Sequence, residues 1–396
     1  MKRIESLDSL RGIAAFVVVI FHIMISFVLL YNANYLNKFD EKWTEAITLS
    51  PLKLFWAGNE GVLLFFVLSG FVLSLPFWNG RHLPYKAYLV KRFCRIYIPY
   101  IIIMFATTIL VSFFYKYNNI EGLSSTFENR WGNLPSVKDI IMYILMIDIN
   151  TANVNGVVWS LYHEMRISII LPLFLLIMLK FNFIKSFFIN IGICLVSYAI
   201  LIIGESFITS DLLLTISHGL RMTIYYCVFF LFGAYLAKYV NTFVFVKNST
   251  FVKLSLFTTS ILIIEPRWVL HRVGLDYWMI SNVISVIGIL LLLTAVIHSN
   301  LADRILTVKP LLWLGKISYS LYLVHIPIIM LSVILLSNTI GLIWSFIVAI
   351  LISLVVADLT YRTIEVKSIK LGSKYSKLFL NKRVKGKSLN QLETKQ

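Results

Sequence analysis

The sequence predicts an all-α polytopic membrane protein, a helical bundle of about ten transmembrane helices with both termini in the cytoplasm. Three observations predict this fold class. Of the 396 residues, 59% are hydrophobic and only 14% are charged, whereas a soluble domain carries roughly 25% charged residues. The mean hydropathy is +0.82. The apolar residues fall in runs approaching the ~20 residues that a helix needs to cross a bilayer.

Ten apolar runs are the candidate membrane spans. They cover residues 11–31, 61–79, 96–115, 159–179, 186–203, 222–240, 252–265, 278–298, 313–336 and 340–361. The seventh run is short, and the fourth begins in polar sequence. The first run follows Lys2 and Arg3, as in a signal peptide, but it is about 20 residues long and lacks an A-x-A cleavage site. We therefore expect it to be retained as a helix.

The distribution of lysine and arginine sets the orientation. With the N-terminus in the cytoplasm, most of the 36 basic residues fall in cytoplasmic segments, and the outer loops carry most of the acids. Residues 1–366 are thus predicted to form the transmembrane domain, and 367–396 a basic cytoplasmic tail, surface-bound or disordered. The net charge of +17 then reflects topology and contact with anionic lipid. It does not indicate a nucleic-acid partner.

The cysteines do not predict a metal or redox site. Cys94, Cys194 and Cys227 all lie at or in apolar runs, and no CxxC or Cys/His spacing accompanies them. The chain also shows no internal repeat, which argues mildly against a duplicated transporter fold.

The first apolar run carries two ionisable residues, Arg11 and His22. At ~100° and ~1.5 Å per residue, their spacing places them on nearly the same helix face, about 16 Å apart. An ionisable residue deep in a bilayer costs free energy, so it is a functional candidate. Because imidazole gains and loses a proton near neutral pH, we predict that His22 is catalytic.

Two further arginines lie at the level of Arg11. The segment RFCR places Arg92 and Arg95 three residues apart, on one face of a helix start. Three guanidinium groups at one depth could bind phosphate, because the planar fork matches phosphate oxygens. The alternative is ordinary topology signalling and contact with lipid headgroups.

A second histidine, His325, is predicted at the same depth as His22. It ends the segment ISYSLYLVH, in which Ser318 and Tyr322 share its helix face. A histidine at mid-membrane is either a satisfied hydrogen-bonding group between helices or part of a site, and both readings stay open here.

The fourth apolar run opens with the polar segment VNGVVWSLYHEMR on the outer side. Trp159 and Ser160 begin it, although a tryptophan at the interface is common in membrane proteins. Glu164 either compensates the partial positive charge of the helix N-terminus or is a partner for an ionisable group or a sugar hydroxyl. In the second run, Ser69 and Gly70 are typical of close packing or a local bend.

Taken together, these segments resemble the motifs of the integral-membrane acyltransferase family 3. The resemblance rests on LDSLRGIAAFVVVIFH, EGVLLFFVLSGFVLS, RFCRIYIPY, VVWSLYHEM and ISYSLYLVH, in family order from residue 7 to about 365. One departure lies near the end, where YRTIEVK keeps Arg362 and Glu365 but lacks the proline that the family often has.

The resemblance implies a ten-helix transferase in a bacterial plasma membrane. Such an enzyme moves an acyl group, often acetyl, from cytoplasmic acyl-CoA to a hydroxyl of a surface glycan or lipid-linked sugar. Acyl-CoA, with acetyl-CoA as the expected form, is then a donor substrate, and no cofactor stays permanently bound. Some members carry an appended hydrolase-like domain, which we do not expect here. A homo-oligomer is left open.

The resemblance also implies roles for individual residues. It implies that His22 is the essential histidine, acting as general base or as acyl carrier. It also implies that Arg11, Arg92 and Arg95 bind the CoA phosphates. His325, Tyr322 and Glu164 are expected to orient His22 or bind the acceptor. Trp159 and Ser160 are further candidates for acceptor binding.

Two other function classes compete with the transferase. One is a proton-coupled carrier or exporter of lipid-linked sugars, with His22 and His325 in a proton relay. The other is a regulatory or structural membrane protein.

Overall fold

A computed structural model describes residues 4–80, 83–115, 117, 120–147, 151–243, 246, 248–275 and 277–393, with side chains described to residue 380. The described residues form helices joined by loops. They contain no β-strand, only a single antiparallel bridge between Phe27 and Leu123. The all-α prediction is therefore confirmed.

Ten helices build the bundle. In chain order they are α1 (Glu5–Met24), α2 (Gly58–Trp78), α3 (Tyr85–Phe114), α4 (Trp159–Lys180), α5 (Phe183–Glu205), α6 (Asp211–Tyr239), α7 (Thr250–Ile264), α8 (Trp278–Ile297), α9 (Lys309–Ile340) and α10 (Leu342–Thr360). Within the described ranges, all but α7 belong to the nine helices long and apolar enough to cross a membrane. The 15 residues of α7 reach only about 22 Å, short of the ~30 Å hydrocarbon core.

The first span ends earlier than the apolar run predicts. α1 stops at Met24, and a separate helix, Val28–Tyr35, follows it. A distant loop occupies the break. The backbone N–H of Ser124 donates to the carbonyl of Ser26 at 2.7 Å, and the Ser124 hydroxyl donates to the carbonyl of Ile25 at 2.8 Å. The ordered backbone at the break is thus tied to residues that lie far away in the sequence.

The C-terminal segment is helical and continues the last span. α10 runs through a π-helical turn, Tyr361–Glu365, into a further helix, Val366–Glu393. This helix contacts α3, where a Cβ placed on Gly372 would lie 3.0 Å from the Cβ of Cys94. The proposed domain boundary at residue 366 therefore lies within a continuous helical run, and the cytoplasmic side of the tail stays a prediction.

α1 and α9 are parallel helices that pack glycine against glycine. A Cβ on Gly12 would lie 2.5 Å from the backbone nitrogen of Gly315, and a Cβ on Gly315 would lie 2.5 Å from the carbonyl oxygen of Asp8. Only glycine permits so close an approach. His22 and His325 each follow their glycine by ten residues, a rise of about 15 Å on both helices. The glycine pair therefore sets the register that brings the two histidines together.

Replacing Gly315 with alanine is expected to destabilise the bundle by about 1–3 kcal/mol, because the added methyl must displace the backbone of α1. The matched control is Gly192→Ala in α5, where an added Cβ meets no atom within 4 Å. Thermal unfolding in detergent measures the difference. Equal midpoints for the two variants would contradict the glycine contact.

Candidate active site

Two cavities lie along α1, one at Arg11 and one at His22. The arginine cavity has a volume of about 940 Å³ and is lined by Arg11, Arg92 and Arg95, among others. The histidine cavity has a volume of about 370 Å³ and contains His22 in its wall. α1 thus carries both Arg11 and His22, and each of them lines its own cavity.

The arginine cavity is rich in positive charge. Six basic and three acidic side chains line it, namely Arg11, Lys91, Arg92, Arg95, Lys316 and Lys370 against Asp8, Glu164 and Glu365. The cations come from α1, α3, α9 and the helix that follows α10, so segments distant in sequence contribute to one surface. A concave surface with excess positive charge attracts polyanions, and arginine binds phosphate bidentately.

Glu164 belongs to the arginine cavity. Its Oε1 lies 3.3 Å from a guanidinium nitrogen of Arg92 and accepts a hydrogen bond of 3.0 Å from the hydroxyl of Ser69. The same guanidinium nitrogen donates to the hydroxyl of Ser168 at 3.4 Å. Glu164 and these two serines therefore hold the Arg92 side chain in place.

This position corrects the expectation that Glu164 orients His22. Trp159 and Glu164 are five residues apart on α4, a rotation of about 140° around the helix axis. Trp159 consequently lines the histidine cavity, while Glu164 points into the arginine cavity. The carboxylate contacts Arg92 instead of the imidazole.

His22, in the wall of the histidine cavity, is in direct contact with His325. Nε2 of His325 lies 3.3 Å from Nδ1 of His22. Nδ1 of His325 lies 3.1 Å from the carbonyl of Leu321, and Nδ1 of His22 lies 2.9 Å from the carbonyl of Val18. A carbonyl oxygen only accepts, so each Nδ1 carries the hydrogen. Nε2 of His325 is then the acceptor for the His22 N–H.

This arrangement leaves Nε2 of His22 with a free lone pair. In the described part of the chain, Nε2 of His22 has no hydrogen-bond partner, and the residue lines the cavity. A neutral imidazole nitrogen held in this way can accept a proton or act as a nucleophile. His325 holds the ring and can stabilise the protonated form.

Tyr322 lies between the two cavities and lines both. Its hydroxyl lies 2.7 Å from the hydroxyl of Ser160 and donates to the carbonyl of Val157 at 3.0 Å. Ser160 lines the arginine cavity and its neighbour Trp159 the histidine cavity. The start of α4, together with Tyr322 of α9, therefore forms the partition between the two cavities.

Two groups at the cavities have contacts that the sequence does not predict. The sequence predicts close packing or a bend at Ser69 and Gly70, but only Gly70 packs closely, since an added Cβ there would meet the carbonyl of Phe230, whereas Ser69 donates to Glu164. Arg130 lines the histidine cavity, but it lies in a loop with several acidic residues, and nothing in the sequence distinguishes it from an ordinary loop cation.

Comparison with known proteins places the chain in a family. The family model described as an acyltransferase domain matches residues 4–362. The peptidoglycan O-acetyltransferase OatA of Listeria monocytogenes is 25% identical over 94% of this chain and 56% of its own length. The O-acetyltransferase OatA of Staphylococcus aureus is 36% identical over 25% of this chain and 17% of its own.

The chain thus spans about half the length of the first of these relatives. No solved structure shows a significant match to it. Bacterial relatives and the apolar helices show a multi-pass bacterial membrane protein. Because the family model covers nearly the whole chain, the protein belongs to the integral-membrane acyltransferase family 3.

Proposed function

We propose that the protein transfers an acyl group, in the simplest case acetyl, from cytoplasmic acyl-CoA to a hydroxyl of an extracytoplasmic or lipid-linked polysaccharide. One observation carries the proposal. A cation-rich cavity and a histidine pair lie on the same two helices, separated by the ~16 Å between Arg11 and His22. Peptidoglycan, the acceptor named for the Listeria relative, is the first glycan to test.

The arginine cavity is the proposed donor site. Arg11, Arg92 and Arg95 would bind the CoA phosphates, since a guanidinium fork matches two phosphate oxygens. The pantetheine arm would then extend along α1 towards Tyr322, which lines both cavities. This places the thioester carbonyl at the partition, next to the histidine cavity.

The histidine cavity is the proposed site of transfer. Nε2 of His22 takes the proton from the acceptor hydroxyl as the oxygen attacks the thioester carbonyl. The new carbon–oxygen bond forms, the carbon–sulfur bond breaks, and the imidazolium returns its proton to the CoA thiolate. His325 keeps the hydrogen on Nδ1 of His22 throughout.

The same free nitrogen could instead accept the acyl group and pass it on. Separate cavities for donor and acceptor allow both substrates to bind at once, which favours direct transfer. Initial rates at varied concentrations of both substrates separate the two routes, because direct transfer gives intersecting reciprocal plots and an acyl-histidine intermediate gives parallel ones.

Incubation of membranes with labelled acetyl-CoA and peptidoglycan strands tests the proposed function. Label bound covalently to the glycan supports a transferase. Movement of sugar that does not depend on CoA would instead support the carrier.

Arg92→Gln should raise the KM for acetyl-CoA by about tenfold or more, because hydrogen bonds to charged groups contribute ~1.5–3 kcal/mol. The tested protein carries Glu164→Gln together with Arg92→Gln, because removal of Arg92 alone would leave the Glu164 carboxylate without its ion-pair partner. The matched control is Arg221→Gln, which breaks the Arg221–Glu205 ion pair of 3.0 Å outside both cavities. A change confined to the KM for the acceptor would contradict the phosphate role.

A further inference from the structure

The histidine cavity contains a buried cation, Arg130. The residue is only 6% exposed and lines the cavity. Burial lowers the pKa of its guanidinium to about 10, so the group is still charged at neutral pH. Its backbone N–H donates to the carbonyl of Phe127, but among the residues that the structure describes, the guanidinium has neither a hydrogen bond nor an ion pair. A buried charge is costly without a counter-ion, which indicates that a ligand supplies one.

The loop around Arg130 is rigid. Trp131 is fully buried, its indole N–H donates to the carbonyl of Val154 at 3.1 Å, and its backbone N–H donates to Asn153 at 2.9 Å. Its φ of 57° is uncommon for a bulky residue and carries strain that the surrounding contacts must hold. Arg130 is therefore fixed in position.

The same loop is fixed relative to His22. Ser124, six residues before Arg130, bonds to the carbonyls of Ile25 and Ser26, which directly follow the end of α1. These bonds tie the loop that carries Arg130 to the end of the helix that carries His22. The two side chains share one cavity at a set separation.

The rest of the cavity lining is suited to a sugar. Six polar side chains that can exchange hydrogen bonds with hydroxyls contribute to it, namely Tyr35, Asn59, Thr126, Asn129, Asn153 and Tyr322. Trp159 offers an aromatic surface in the same wall. In the described part of the chain, no carboxylate lines this cavity, so an anionic ligand meets no like charge there.

We propose that Arg130 binds an anionic group, a carboxylate or a phosphate, on the acceptor glycan and so positions the acceptor hydroxyl at Nε2 of His22. The guanidinium fork suits either oxyanion. The inference rests on the proposed function, and it adds that the enzyme selects acidic glycans over neutral ones of the same size.

Paired acceptors test the proposal. The first is a peptide-free peptidoglycan strand with free lactyl carboxylates, and the second is the same strand after methyl esterification. A third, the esterified disaccharide on a prenyl diphosphate, tests phosphate as the anion. Transfer from labelled acetyl-CoA and equilibrium binding without donor are measured for the wild type, Arg130→Gln and Arg130→Lys. Lys42→Gln, at an exposed position of the outer loops, serves as the control.

We expect the wild type to prefer a charged acceptor by about tenfold or more in kcat/KM. Arg130→Gln should lose this preference while keeping the rate on the neutral ester, and Arg130→Lys should keep part of it. Lys42→Gln should match the wild type. A preference for the free strand identifies a carboxylate, and one for the prenyl diphosphate identifies a phosphate.

Two results would overturn the proposal. One is a wild type that binds and acylates charged and esterified acceptors equally. The other is an Arg130→Gln variant that slows both acceptors alike, which would make Arg130 a group that stabilises the reaction. If no acceptor receives label, the proposed function fails, and the binding data still decide whether Arg130 recognises an anion.

Discussion

His22→Ala is expected to abolish acyl transfer, lowering kcat by about 10³-fold, since a positioned general base contributes ~10²–10⁴-fold and a nucleophile would be lost outright. The protein should still fold, because the side-chain nitrogens of His22 contact only the Val18 carbonyl and His325, and alanine favours the helix. Label transferred from acetyl-CoA to glycan, normalised to the amount of protein in the membrane, measures the effect.

His298→Ala is the matched control. Nδ1 of His298 lies 2.9 Å from the carbonyl four residues earlier, as it does in His22, yet His298 lines neither cavity. Transfer by this variant should be unchanged. Near-normal glycan acylation by His22→Ala would remove His22 from the mechanism.

His325→Ala is expected to lower kcat by about 10–100-fold, by analogy with the loss of the partner that orients a metal-bound histidine. The His22 N–H at Nδ1 would lose one of its two acceptors and keep only the carbonyl of Val18, so the ring would be held less firmly. His325→Gln should restore part of the rate, because its amide oxygen can also accept that hydrogen bond. The KM for acetyl-CoA should not change, since His325 lies outside the arginine cavity.

The split between kcat and KM distinguishes this role from a merely structural one. A variant that only loosened the bundle would lower the unfolding midpoint and change the KM for both substrates. A raised KM for acetyl-CoA at an unchanged kcat would contradict the orienting role of His325.

Much of the fold follows from sequence because lipid imposes a simple rule. Each span must be apolar over most of its length, so the runs locate the helices. The spacing of Arg11 and His22 similarly follows from helix geometry. The contact between His22 and His325 needs the glycine pair at Gly12 and Gly315, which sets the register of two helices distant in sequence.

The features that sequence did not reveal are tertiary. The end of α1 is bonded to Ser124, about a hundred residues away, while the local sequence stays apolar. Glu164 lies in the arginine cavity because the packing of α4 brings its carboxylate to Arg92 of α3, and no local pattern predicts that packing. Arg130 resembles any loop cation until folding buries it beside His22.

In the proposed function, donor and acceptor reach one site from opposite ends of the bundle. The most direct test uses liposomes that enclose glycan strands, with acetyl-CoA added only outside, sorted by the side on which the C-terminal tail is accessible. Label should reach the enclosed glycan only where the tail, and with it the arginine cavity, faces the acetyl-CoA. Label that appears equally in both orientations, or only when donor and acceptor share a side, would contradict this proposal.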